Sequence, residues 1–213
     1  MTEQEWLSTD NPGELSWHLG FRPDTRKLQL LRCGWWGLNL HLLTDERSIR
    51  AVTAAVEYTE GTLSETDRQA VHDAAVQAYQ QLKAAGDESA QVAGGIWDLL
   101  NPMDDDYFRK RAWGMRLFRD HGPIRSEPLY CQLMRCVFGN PFRPVTFSPS
   151  WLSSTTAALA RQMYDSRDFS TMPILADALQ DAGCDNADVL SHCRGGGPHV
   201  RGCWVVDRVL GKE

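Results

Sequence analysis

The sequence predicts an all-α protein, a compact bundle of about nine short helices. Apolar residues recur three and four positions apart in most segments, which is the spacing of one helix face. Residues that typically begin or end helices stand at the edges of these segments. No segment shows sustained alternation of apolar and polar residues, the pattern typical of a half-buried strand.

The first helices are marked by their N-terminal residues. Thr2 and Glu5 form a capping-box pattern ahead of Trp6, and the run Asn11-Pro12-Gly13 breaks that segment. Asp24 is placed to cap the next helix, which carries an apolar stripe down one face. The stripe comprises Leu28, Leu31, Trp35, Leu38 and Leu42.

Two further helix starts follow before residue 100. Thr44 or Asp45 begins one helix, and Ser64 with Asp67 begins a long helix that ends at Gly86. Residues 88–100 are expected to continue as a helix, although the pair Gly94-Gly95 weakens it.

An acidic run at 104–106 precedes the basic run at 109–111. Acids in a first turn and bases further along complement the helix dipole, so this pattern favours a helix start over a metal site. Residues 127–138 are predicted to form a short helix. We expect a proline-rich loop near 139–149, because three prolines in its course exclude a regular element.

The last third of the chain repeats the same signals. Ser148 is expected to cap a helix that runs through Tyr164, and a further helix is expected from Met172 to Ala182. Asp185 is expected to cap a short helix. The final CWVVDRVL segment is compatible with either helix or strand because of its β-branched residues.

Length and composition indicate one ordinary globular domain spanning 1–213, with a possible subdivision near 101–106. Apolar residues make up 42% and charged residues 23%, and the net charge is −6, which argues against a general coat for nucleic acid. The sequence shows no secretory signal and no apolar run long enough to span a membrane, so we expect a cytoplasmic location with reduced cysteines.

The strongest chemical signal is a cluster of Cys and His residues near the C-terminus. Five of the chain's twelve such residues fall between 184 and 203, and thiolate and imidazole are the groups that bind zinc. The spacing of His199 and Cys203 suits one helical turn, and the glycine loop between 195 and 197 could fold this pair toward His192 or Cys193. The candidate ligands are Cys184, His192, Cys193, His199 and Cys203.

The alternative interpretation is that these cysteines are small core residues and the histidines are hydrogen-bonded groups at helix ends. The absence of a C-x-x-C knuckle supports this alternative. Cys33, Cys131 and Cys136 are assigned to the core. A nucleophilic cysteine would need an exposed site and a basic neighbour such as His41 or His121, and the sequence does not establish either.

A second candidate site is the basic and aromatic segment 109–125. On a helix, Arg109, Trp113 and Arg116 share one face, which could form an interaction surface or stack on a ligand that carries phosphate. The alternative is that the basic residues form a solvated helix face and that the tryptophan covers a neighbouring side chain. Trp204 is added to the interaction candidates because it directly follows the Cys/His cluster.

The glycine run 195–197 lacks the ending of a phosphate-binding P-loop and follows no strand, so a connecting loop is the better interpretation. Arg194 and Arg201 beside it are weak anion-binding candidates. No serine-nucleophile motif, zinc-protease motif or calcium loop occurs, so no catalytic residue is assigned.

Several stretches of the chain resemble a group of uncharacterised planctomycete proteins. They are MTEQEWL, HLLTDERS, FGNPFRPVTF, PILADALQDAGCDNADVLSHCR and GPHVRGCWVVDRVLGK. The chain departs from that group near Cys33, where the usual stretch has more cysteines. The resemblance implies that 1–213 is one complete unit, and it implies no activity, cofactor or catalytic residue.

Three functions are compatible with these patterns. The leading hypothesis is a non-enzymatic helical module that binds another protein, because Trp and Arg are abundant and commonly anchor interfaces. The first alternative is a small metalloprotein with a zinc site in the C-terminal Cys/His cluster. The second is a protein associated with nucleic acid through 109–125, which the net charge opposes.

Overall fold

The computed structural model describes residues 1–20, 25–101 and 126–212. Its regular elements in these ranges are all helices, eleven α-helices and three short 3₁₀ helices, with no strand among them. The all-α prediction is therefore confirmed. In the described ranges, no helix has both the length and the apolar character needed to cross a membrane.

The chain divides into two compact units, and neither boundary lies near 101–106. The middle unit is Thr9–Cys131, and the terminal unit combines Met1–Ser8 with Gln132–Glu213. Helix α1 (Glu3–Ser8) belongs to the terminal unit. The middle unit contains α2 (Pro12–His18), α3 (Thr25–Leu38), α4 (Glu46–Thr59), α5 (Glu65–Ala84) and α6 (Ala90–Ala93), with 3₁₀ helices at Leu40–Leu42 and Trp97–Leu100.

Helix α7 (Glu127–Phe138) begins in the middle unit and ends in the terminal unit. Residues 139–148 follow it without any helix. The rest of the terminal unit is a series of short helices. They are a 3₁₀ helix at Pro149–Trp151, α8 (Ser154–Ser166), α9 (Met172–Asp181), α10 (Ala187–Arg194) and α11 (Trp204–Leu210).

Local capping explains several helix starts. The backbone N–H of Glu5 donates to the Thr2 hydroxyl at 3.2 Å, while that of Thr2 donates to the Glu5 carboxylate at 2.6 Å. Asp45 accepts from the backbone of Arg47, and Ser64 accepts from Asp67. These helix starts therefore agree with the sequence prediction.

Other boundaries differ from the prediction. Ser148 caps the 3₁₀ turn, and Ser153 caps α8. Asn186, one residue beyond the predicted Asp185, caps α10. The expected helix over 88–100 is broken into α6 and a 3₁₀ turn, with Gly94-Gly95 between them. Glycine is a poor helix former, so two in succession interrupt the helix.

A buried ion pair lies in the core of the middle unit. The Arg32 guanidinium contacts the Asp98 carboxylate at 2.9 Å, and the side chains are only 5% and 1% exposed. Arg32 also donates to the Gln29 side chain at 2.9 Å. The Gln29 amide donates to the carbonyl of Leu99, and Arg68 donates to the carbonyl of Leu100. These contacts anchor the 98–100 backbone to α3 and α5.

Helix α1 is attached to the terminal unit by contacts along its short length. Trp6 is fully buried, and its carbonyl accepts from Arg135 Nε at 2.8 Å. Glu3 accepts from the Asn140 side chain at 2.7 Å and pairs with Arg143 at 2.6 Å. Residues from both ends of the chain therefore build one unit.

The core of the terminal unit is formed by α7 to α11 and the loops between them. Its buried members come from every helix of that series, so each short helix is stabilised mainly by packing. They are Cys136, Trp151, Ala160, Met163, Tyr164, Met172, Leu175, Ala176, Leu179, Cys184, Val189, Leu190, Cys193, Cys203, Val205, Val206 and Val209.

Replacing Trp6 with Ala is expected to destabilise the terminal unit by about 3–5 kcal/mol, the usual cost of truncating a buried tryptophan. Denaturant unfolding followed by circular dichroism measures this loss. Leu7→Ala is the matched control on the same helix, because Leu7 is 50% exposed. The control should cost less than about 1 kcal/mol. Equal costs for the two variants would contradict the placement of α1.

Replacing Asp98 with Ala is expected to destabilise the middle unit by about 3–5 kcal/mol, because it leaves the Arg32 charge buried without its carboxylate. Glu57→Ala is the control, since Glu57 pairs with Arg50 at the surface with exposed fractions of 32% and 44%. Its cost should stay within about 1 kcal/mol. Thermal or denaturant unfolding distinguishes the two, and a neutral Asp98→Ala variant would argue against the buried pair.

Candidate metal centre

Four potential metal ligands meet inside the terminal unit. They are Cys136, His192, His199 and Cys203, and one ligand atom from each lies within 4.8 Å of the others. The two cysteines are fully or almost fully buried, and the two histidines are half-buried. This is the one group of this kind found among the residues that the structure describes.

Three separate segments supply these side chains. Cys136 lies in the last turn of α7, and His192 lies in the last turn of α10. His199 follows in the loop beyond α10, and Cys203 immediately precedes α11. The site thus joins one distant helix to three residues that flank the glycine loop, His192 before it and His199 and Cys203 after it.

The distances match the edges of a small coordination shell. Cys136 Sγ lies 3.7 Å from His199 Nδ1, and Cys203 Sγ lies 3.2 Å from His192 Nε2. In tetrahedral zinc coordination, with Zn–S near 2.3 Å and Zn–N near 2.0 Å, sulfur and nitrogen ligands lie about 3.6 Å apart. The two measured distances lie on either side of this value, so these two pairs of atoms are compatible with ligands of one ion.

The backbone orients one of the imidazoles. His199 Nε2 lies 3.4 Å from the carbonyl oxygen of Gly195, while Nδ1 faces the Cys136 sulfur. A metal-binding histidine commonly donates its second ring N–H to a carbonyl, which fixes the tautomer. A proton on Nε2 would leave the Nδ1 lone pair directed at the Cys136 sulfur, as metal binding requires.

Aromatic rings pack against one side of the site. The rings of His192 and His199 meet edge to face at 4.9 Å, and the Trp204 ring lies 5.4 Å from that of His192. Phe147 packs edge-on against Trp204 at 6.2 Å. Gly139, with φ +69°, leaves room beneath the indole. These contacts hold His192 in one orientation.

Each of the two cysteines shifts the pKa of the other. The hydrogen bond between their side chains raises the pKa of Cys136 well above its ordinary value, and burial raises it further. Burial alone would raise the pKa of Cys203. Its hydrogen bond with Cys136 and the neighbouring His192 and His199 imidazoles outweigh burial and hold that pKa well below its ordinary value. Cys203 is therefore the cysteine of the pair that ionises more readily.

His199 and Asp207 also take part in the electrostatics of the site. Burial lowers the pKa of His199, but the hydrogen bond to Cys203, the charge of Cys203 and the hydrogen bond to Gly195 together outweigh burial, so the net pKa is raised. Asp207, fully buried one turn beyond Cys203, adds a negative charge that contributes to the raised pKa of Cys136. Binding of a metal ion would require Cys136 to lose its proton, as thiolates are the metal-ligating form.

Three of the five ligands predicted from the sequence come together here: His192, His199 and Cys203. Cys184 and Cys193 lie outside the group and belong to the buried core, where burial raises the pKa of each thiol. His199 and Cys203 approach each other through a loop and turn, and the predicted single helical turn is absent.

The fourth member, Cys136, was assigned to the core alone. That assignment was incomplete, because Cys136 is buried and is also a potential ligand. Cys136 lies far from the C-terminal cluster in the sequence, and no sequence pattern indicates that the two come together in the fold. Cys33 and Cys131 are buried, in agreement with their core assignment.

The other predicted site residues have different surroundings. Arg109, Trp113 and Arg116 lie outside the described residues, so the interaction surface stays a prediction. Trp204 is half-buried against the core, with Phe147 and His192 on it. Its role in an interaction surface stays a prediction.

The two anion-binding candidates both make internal contacts. Arg194 donates to Asp177 at 2.9 Å and to Gln180 at 2.7 Å. Arg201 Nε donates to the Tyr164 carbonyl at 2.5 Å, and its guanidinium lies over the Tyr164 ring at 4.9 Å. An anion would compete with these partners, and anion binding stays a prediction.

The function of this site has to be inferred from its geometry, because comparison with known proteins adds no information about it. The chain matches no protein-family model, no curated protein and no solved structure. The resemblance to planctomycete proteins therefore stays a prediction.

Replacing Gly139 with Ala is expected to displace Trp204 and to destabilise the terminal unit by about 1–3 kcal/mol. The added Cβ would lie 3.2 Å from the Trp204 ring, and φ at this position is +69°. Tryptophan fluorescence and denaturant unfolding measure the two effects. Gly196→Ala is the control, because its Cβ would meet nothing within 4 Å. An unchanged Gly139→Ala variant would contradict the close packing.

Proposed function

We propose that this protein is a zinc metalloprotein in which one Cys₂His₂ centre stabilises the terminal unit. The observation that carries the proposal is the convergence of Cys136, His192, His199 and Cys203 within 4.8 Å. Four thiolate or imidazole ligands are the set that a structural zinc site uses, and binding of the ion then contributes directly to folding.

The donor atoms favour zinc over the common hard cations. Magnesium and calcium take oxygen ligands, whereas thiolate and imidazole suit zinc. Two thiolates also neutralise the charge of one Zn²⁺ ion, so the loaded centre carries no net charge. A neutral centre avoids the large cost of burying an uncompensated charge.

Four protein ligands support a structural role for the ion. A catalytic zinc site usually has three protein ligands and leaves a fourth position for water or substrate. Here the two cysteines and two histidines supply a complete tetrahedral set. We therefore assign the ion to stabilisation of the fold.

The position of the centre suits this role. It connects the end of α7 to the end of α10 and the start of α11, all of them helices of seven to twelve residues. Isolated helices of this length are marginal in water, and packing has to supply their stability. A metal ion at their junction would add bonds that the small core lacks.

The protein purified without chelators is expected to contain about one zinc ion per chain, because a structural site should be close to full occupancy. Elemental analysis by mass spectrometry measures this content. Cys136→Ser should reduce it below about 0.2 per chain, because serine removes the thiolate. Cys184→Ser is the matched control, since Cys184 is equally buried and lies outside the group.

Two further results would separate metal loss from misfolding. Circular dichroism should show that Cys136→Ser keeps its helices when it loses zinc, and Co²⁺ added to the metal-free wild type should give the visible absorption of a tetrahedral thiolate site. A wild-type protein with less than about 0.2 metal ion per chain would reject the proposal.

A further inference from the structure

The two cysteine ligands are also placed as a potential disulfide pair. Cys136 and Cys203 come from segments far apart in the chain, yet their sulfurs lie within 4.8 Å of each other. A disulfide has a sulfur separation of about 2.05 Å, so the pair must approach by less than about 3 Å. The side chains that would hold the metal ion could thus be joined directly.

We propose that this centre is a redox-sensitive switch, in which hydrogen peroxide oxidises Cys136 and Cys203 to a disulfide and the metal ion is expelled. The inference rests on the proposed zinc function, because the ion released is the one that the centre holds. Once both sulfurs have left the ion, His192 and His199 alone are too few ligands to retain it.

The reaction balances with the peroxide as the sole oxidant. The Cys203 thiolate attacks one peroxide oxygen, the O–O bond breaks, and a sulfenic acid and one water form. The Cys136 thiolate then attacks that sulfur and displaces the second water. The two thiolates lose two electrons, the peroxide gains them, and two protons come from solvent.

The surroundings of the site favour a small oxidant. The sulfurs of Cys136 and Cys203 are buried, but the neighbouring loop from Arg194 to Gly197 is exposed. The neighbouring imidazoles of His192 and His199 are half-buried. Hydrogen peroxide is about the size of two waters, so a partly covered site hinders it less than it hinders a bulky thiol reagent.

The disulfide would replace one cross-link by another. Before oxidation, an ion links α7 to the residue preceding α11, and afterwards a covalent bond links the same two positions. The oxidised chain therefore keeps its connection between α7 and α11 and loses the one to His192 and His199. The glycine loop is released from the centre as a consequence.

The test uses the full chain, purified without oxygen and loaded with zinc. Its zinc content is measured first, and hydrogen peroxide is then added. A chromophoric chelator follows zinc release, and mass spectrometry of alkylated peptides identifies the cysteine pairs. We expect one zinc ion released for each Cys136–Cys203 disulfide, and dithiothreitol with added zinc should restore the loaded protein.

Cys193→Ala is the matched control, because Cys193 is buried in the same core and adjoins His192 in the sequence. This variant should release zinc and form the same disulfide. Zinc that stays bound, or zinc lost without a Cys136–Cys203 link, overturns the redox inference alone. A chain that contains no zinc before peroxide is added instead contradicts the proposed function, and the release step with it.

Discussion

The terminal unit depends on the convergence of two thiols and two imidazoles at one buried point. Cys136, His192, His199 and Cys203 come from α7, α10 and the segment before α11, so their meeting fixes how these helices lie relative to one another. The helices are short, and the loops between α7 and α8 and between α10 and α11 contain glycine and proline. A chain of this kind gains little from helix propensity and relies on its core and on such polar junctions.

The sequence was sufficient to predict the helices whose starts are set by local contacts. Thr2 with Glu5, Asp45, and Ser64 with Asp67 satisfy backbone groups within a few residues, so the cap is visible without the fold. Local signals were insufficient over 88–100, where tertiary contacts and a glycine pair break the helix. They were also insufficient at 204–210, where burial decides between helix and strand.

The sequence was likewise sufficient for the site residues that lie close together in the chain and insufficient for the distant one. His192, His199 and Cys203 were found because they lie within one short stretch on either side of the glycine loop. Cys136 was missed as a ligand because its relation to them is purely tertiary. Cys184 and Cys193 were included because they are near in sequence, although they pack elsewhere in the core. Proximity in the sequence therefore indicated that a cluster exists, but it could not show which residues belong to the cluster.

The terminal unit is assembled from both ends of the chain, since α1 packs with residues beyond 132. During translation Trp6 is synthesised before Arg135, its hydrogen-bond partner 129 positions further along the chain. At about 5–20 residues per second, roughly 6 to 26 s separate the two events. Helix α1 must wait at least that long for its contacts with the end of α7, and the middle unit has by then been synthesised. The order of synthesis therefore leaves the first eight residues without these contacts until the middle unit has been made.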